Sequence, residues 1–284
     1  MDTLNINPPD INQQLHDVTG LISLPEVYLK IRQLMADDDS DIADFAEIVR
    51  LDPNLSLAVL KMVNSAFFGF SKKIESVLQA TNMIGIGQLH IIVLGLSAIS
   101  SLNYPNKLIP LKIFWRSSLF AGVLAQLLAR RLKMPNSEKL FIKGLLHEVG
   151  HLVLYAKFPE LTEHALGIAE NDNVPIHEAE CQVFGCHYGD VGALLMAQWG
   201  LSDEYQMDIR HQPEPEVTNP RPEAVGLLHL AHGYAQQHVG LIERADMIIN
   251  PKVWETTQLT SKDLECELDV ARTMTSDMES IISG

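Results

Sequence analysis

Apolar residues recur every three to four positions along nearly the whole chain, and no stretch between turn signals shows sustained alternation. Segments patterned this way bury one stripe each against their neighbours, as amphipathic helices do. The sequence therefore predicts an all-α fold. With 46% hydrophobic residues over 284 positions, the chain can build a well-buried core, or two packed lobes, without disulfides or a structural metal.

Local signals place the elements. Ser23 and Glu26 around Pro25 form a capping box ahead of Val27, Ile31 and Leu34, and the acidic run Asp37 to Asp39 ends that helix in solvent. Asp52-Pro53 opens a helix that ends at a turn from Asn64 to Gly69, and an apolar helix follows Gly87. The stretch Tyr104 to Pro110 breaks the periodicity twice and reads as a joint between two lobes. Helical patterns then cover about 112–133, 138–156, 160–171, 176–184, 188–199, 203–211 and 223–239, and an acidic tail helix starts after the N-cap residues Thr260 and Ser261.

Charge and composition exclude several functions. Lys and Arg total 21 against 36 Asp and Glu, a formal charge of −15, so the summed field repels phosphate backbones and direct nucleic-acid binding is not expected. The cluster Arg130-Arg131-Leu132-Lys133 reads as the cationic last turn of a helix. Cys181, Cys186 and Cys266 lack metal-ligand spacing and read as buried small residues in a reducing compartment. The N-terminus lacks the order of a signal peptide, and the most apolar run, Ile91 to Ile99, is too short to span a bilayer. A cytoplasmic protein is expected.

The string HEVGH at residues 147–151 matches the zinc-peptidase pattern, in which two His four apart on one helix bind Zn²⁺ and the Glu activates water. A helix from Ser137 to Tyr155 would put His147 and His151 on one face. The extended form of the pattern then needs a Gly and a third His, where this chain has Leu154 and Lys157, so a peptidase is not expected.

Read more widely, GLLHEVGHLVLY resembles the signature helix of the HDOD family, the HD-related output domains of bacterial signalling proteins. LPEVYLKIRQLM, IVRLDPNLSLAVLKMVNSAFFGF, IESVLQATNMIGIGQLHIIVLGLS and VFGCHYGDVGALLMAQWGL stand in the family's order, and the likeness runs from about residue 21 to about 240. It implies an N-terminal extension (1–20), an N-terminal helical lobe (21–105), an HD-domain-like helical lobe (106–240) and an acidic helical tail (241–284).

The resemblance also implies a site. Metal-bearing HD enzymes hold their ions with His and Asp, and the corresponding residues here are His147, Glu148, His187, His211 and His232, expected in one cleft. Ser117 falls at the first ligand position and is a vacated one, while His151 replaces the Lys of the signature. The remaining donors suit Zn²⁺, Fe or Ni²⁺, but no cofactor and no catalysis are expected from a set this depleted. The function implied is a signal-transduction output module acting by protein–protein contact. Its expected partners are bacterial regulatory proteins with receiver, sensor-kinase or cyclic-di-GMP-related domains. The alternative is a divergent metal-dependent phosphohydrolase acting on a nucleotide. Phe67, Phe68 and Phe70, crowded at one turn beside Lys72 and Lys73, are expected either to pack between the two lobes or to form the candidate partner surface.

Overall fold

A computed structural model describes residues 25–101, 108, 110–241 and 249–282, and among these every regular element is a helix. The first lobe holds α1 (Glu26–Met35), α2 (Ile42–Arg50), α3 (Pro53–Val63), α4 (Val77–Ile84) and α5 (Ile86–Ser101). The second holds α6 (Leu111–Arg131), α7 (Glu138–Leu146), α8 (Val149–Lys157), α9 (Pro159–Asp172), α10 (Ile176–Phe184), α11 (Tyr188–Gln198), α12 (Asp203–His211) and α13 (Pro222–His238). α14 (Lys252–Thr257) and α15 (Ser261–Ile282) follow. Ser23, the 1–20 extension and most of the expected lobe joint lie outside the described residues.

Side-chain caps set several boundaries. Asp41 accepts from the backbone of Ala43 and Asp44, and the Asp44 carboxylate accepts from the Asp41 backbone, closing a capping box on α2. Asp52 caps α3 with Pro53 in the first turn. Asn64 bonds both the N–H and the carbonyl of Ile74 at 2.8 Å, so the aromatic turn between them is clamped at its base. Thr260 and Asp263 cap α15 reciprocally. α1 is entered at Pro25 without a side-chain cap.

α6 forms the axis of the second lobe, nearly all of it buried, with α7, α13 and α15 packed around it. Its approach to α7 is set by glycine: a Cβ on Gly144 would lie 2.6 Å from the Gly122 Cα. By length and composition α6 is the one helix among the described residues able to cross a membrane alone, with α4 and α5 a possible pair bent by 119°, yet 78% of its apolar window is buried inside the protein. The lobes meet where Phe67 packs on Phe141 of α7 at 4.9 Å and Arg32 donates to the Trp199 carbonyl at 3.0 Å.

Several expectations are corrected. α2 and α4 were not read from the sequence, although Asp41 and Ser76 cap them. Cys181 and Cys266 are exposed and Cys186 is half-buried, so they are not core residues. The acidic tail is a helix, as expected, and it packs on the second lobe: Leu264, Leu268, Ala271 and Met278 of α15 are buried, and Arg131 at the end of α6 pairs with Asp263 and Glu267. The expected helix over Ser137 to Tyr155 is two helices, interrupted at His147 and Glu148.

Candidate metal centre

That interruption builds the site. Glu148 leaves helical geometry (φ −107°, ψ 8°), so the two side chains at the break turn toward α13. Within the break, His147 Nδ1 lies 2.6 Å from the Gly144 carbonyl and donates to it, which leaves Nε2 with its lone pair. His147 Nε2 is 3.0 Å from His232 Nδ1, Glu148 Oε2 is 3.6 Å from His147 Nε2, and Glu148 Oε1 is 3.4 Å from His232 Nδ1. Donor atoms about 2.1 Å from one ion are separated by roughly 3.0 Å at a right angle and roughly 3.4 Å at the tetrahedral angle. The three side chains therefore fit a single divalent ion, and Gln236 steadies the carboxylate from one helical turn beyond His232 by donating to Glu148 Oε1 at 2.8 Å.

The electrostatics suit such a donor set. Burial holds the His147 pKa below the ordinary imidazole value, and burial brings His232 down to about 3, so both rings are neutral at pH 7 with lone pairs to give. Burial works to raise Glu148, but the imidazoles of His232, His147 and His151 outweigh it and the carboxylate stays ionised. With two of those rings neutral, the lasting counter-charge is His151. Burial disfavours its cation, yet Glu180 and Glu148 outweigh burial and raise its pKa to about 9. His151 Nε2 lies 3.1 Å from Glu180 and Nδ1 3.5 Å from Glu148, and its ring packs at 4.0 Å on Tyr188.

His147 and His151 thus face different partners, His232 and Glu180, and do not share one helix face as the peptidase pattern requires. Of the five side chains expected in one cleft, His147, Glu148 and His232 converge. His187 stands apart because it caps α11, its Nδ1 accepting from the Gly189 backbone at 3.1 Å. His211 sits half-buried in the last turn of α12, outside the cluster. Ser117 is buried on α6, which packs against both α7 and α13, and its hydroxyl has no hydrogen-bond partner among the described residues. Phe67 is buried against α7, whereas Phe68 and Phe70 are half-buried and stacked at 6.2 Å.

Sequence reasoning missed Glu180, Tyr188 and Gln236. Only Gln236 had a local signal, since it follows His232 by four positions on one helix face. We expect chelator-stripped protein to take up one Zn²⁺ in titration calorimetry and to bind it at least about tenfold more weakly as His232→Ala, with His187→Ala unchanged. Equal losses in both variants would show that the donor set is drawn wrongly.

An HDOD domain family profile matches residues 21–215. An uncharacterised protein of Treponema pallidum is 25% identical over 207 residues, 69% of this chain. The chain spans only 39% and 32% of the lengths of the curated relatives it matches. Among solved structures, a candidate phosphohydrolase from Shewanella amazonensis superposes with a TM-score of 0.77 at 22% identity, covering 94% of this chain and 97% of that one. A candidate signal transduction protein from Marinobacter aquaeolei gives 0.71 at 21%, covering 100% of this chain and 69% of that one.

Proposed function

We propose, since this chain belongs to the HDOD domain family, that it is a bacterial signal-transduction output module, working in the cytoplasm by protein–protein contact without hydrolysing a substrate. One observation carries the reading. Among the described residues, the lining of the cavity beside the three-donor cluster holds no Lys or Arg, and its charged side chains are Glu178 and Glu214. Phosphoryl transfer depends on positive groups that hold the phosphate and its developing charge. A divalent ion on His147, Glu148 and His232 would supply Lewis acidity and an activated water. Among the described residues no cationic side chain lines that cavity to hold a phosphate, and two carboxylates there repel one.

The face assigned to partner contact is the clamped turn after α3. Phe68 and Phe70 stack there half-buried, packed on the core with one side and adjoining exposed Lys72 and Lys73, while Phe67 anchors the turn in the core. Regulatory proteins with receiver, sensor-kinase or cyclic-di-GMP-related domains are the partners proposed. Support comes from the family and from the likeness to the Marinobacter candidate signal transduction protein.

Two measurements test the reading. Across a nucleotide and phosphoester panel with Zn²⁺, Mn²⁺ or Fe²⁺, we expect no turnover that His147→Ala abolishes. For a partner captured from the native organism, Phe68→Ala should weaken binding at least about tenfold while folded His147→Ala retains it. Turnover that depends on His147, or the reverse binding pattern, would make the cluster the working site.

A further inference from the structure

The cavity next to the cluster encloses about 500 Å³, within the ~300–1,000 Å³ of small-molecule sites. His232 belongs to both its wall and the cluster, and buried Tyr188 lines it as well. The rest of the wall mixes polar groups with an apolar part made by Val174, Pro175 and Ile176 before and at the start of α10 and by Pro213, Ile249 and Pro251 from the segments flanking α13. That apolar part suits a hydrocarbon or aromatic body.

The charge is placed differently. Glu178 and Glu214 are exposed lining residues, which puts their carboxylates at the solvent side, and neither forms an ion pair with Lys or Arg among the described residues. The described lining residues contribute no Lys or Arg to balance them. His177 lies in the same wall, and burial keeps it neutral even though Glu178 and Glu214 pull the other way. His229 is committed to the Gln212 carbonyl through Nδ1 and to the Asn250 backbone through Nε2. Two carboxylates without a Lys or Arg partner among the described residues, at the rim of a partly apolar cavity in a chain of formal charge −15, attract cations and repel anions.

We propose that this cavity binds a small organic cation with an apolar body, its ammonium or amidinium group against Glu178 and Glu214 and its body between the proline and isoleucine walls. The proposal deepens the output reading by giving the module a chemical input.

The test is titration calorimetry on the EDTA-stripped full chain with three probes that share one body: 2-phenylethylamine, 2-phenylethanol and 2-phenylethyl phosphate. We expect the amine to bind at least about tenfold more tightly than the alcohol, with a gap that narrows as salt screens the rim, and the phosphate to give no heat. Glu178→Gln with Glu214→Gln should bring the amine to the alcohol's affinity and leave the alcohol unchanged. Ile176→Trp, which fills the cavity, should abolish both. The proposal is overturned if the phosphate binds as well as the amine, if the paired Gln substitutions leave the amine unaffected, or if no probe binds. None of those outcomes touches the partner comparison or the hydrolysis panel, so a failure here and a failure of the output reading are told apart.

Discussion

Gly150→Ala is expected to cost about 4 kcal/mol of folding stability, beyond the ~1–3 kcal/mol of ordinary overpacking. Gly150 lies where α8 crosses α11, and a Cβ there would stand 1.9 Å from the Tyr188 carbonyl oxygen and 2.9 Å from the Gly192 nitrogen. Those atoms are backbone, so no rotamer change relieves the overlap and the helices must separate. Separation also moves Tyr188 away from His151, whose ring it meets at 4.0 Å, so the cluster of His147, Glu148 and His232 should loosen with the fold. Gly167→Ala is the internal control. It sits mid-helix in α9 with nothing within 4 Å of the added methyl, and there the helix preference of Ala should stabilise by about 0.4–1 kcal/mol. Chemical denaturation of the two variants checks both signs, and a Gly150→Ala protein as stable as the parent would mean the crossing is looser than described.

The second large effect belongs to Lys143. Its side chain is 1% exposed, and its ammonium donates to Glu204 at 2.6 Å and to Asp208 at 2.7 Å. Arg221 completes the network, reaching Asp208 at 2.6 Å from the loop before α13, so α7, α12 and that loop are joined through two carboxylates. Breaking a buried pair from one side leaves an uncompensated charge and costs ~3–5 kcal/mol. Asp208 keeps Arg221, so Lys143→Met should cost about 3 kcal/mol, near the bottom of that range.

Acid unfolding supplies a separate readout. Burial works to raise the Glu204 pKa, but its bonds to Lys143 and Lys139 and the nearby Arg221 outweigh it and lower the value to about 2. A group depressed on folding adds stability above its unfolded pKa, near 4.5, and loses it as pH falls through about 2. Lys143→Met removes the shortest of the contacts that hold Glu204 down. The acid transition should therefore move to higher pH, and an unchanged transition would show that Lys139 and Arg221 suffice.

Much of the fold was legible because helix signals are local. Asp52-Pro53, the Thr260 cap and the apolar period of 176–184 each act within a few residues of the structure they specify, and α10 begins and ends where its pattern does. α2 was overlooked although Asp41 and Asp44 spelled its capping box. The break at His147 and Glu148 was not legible. Apolar residues continue on both sides of it, so periodicity alone predicts one unbroken helix.

The family resemblance brought five side chains to one cleft, and the structure gathers three. His187 was withheld by a local competitor, the unpaired backbone N–H of Gly189, which its imidazole satisfies. No local pattern marks Lys143 for burial, which follows only from Glu204 and Asp208 arriving from more than sixty positions away.

The sequence by itself determined that this chain is all helix, where most of its helices lie, and that it is acidic overall, because hydrogen bonding within a helix and the count of charges depend on near neighbours or on no neighbours at all. Only the tertiary structure decided which imidazoles converge, which carboxylates are neutralised and which are left bare at the rim of a cavity. Those properties depend on the approach of segments far apart in sequence. Here that approach is set by close backbone contacts, Gly150 against Tyr188 and Gly144 against Gly122, whose consequences no local pattern records.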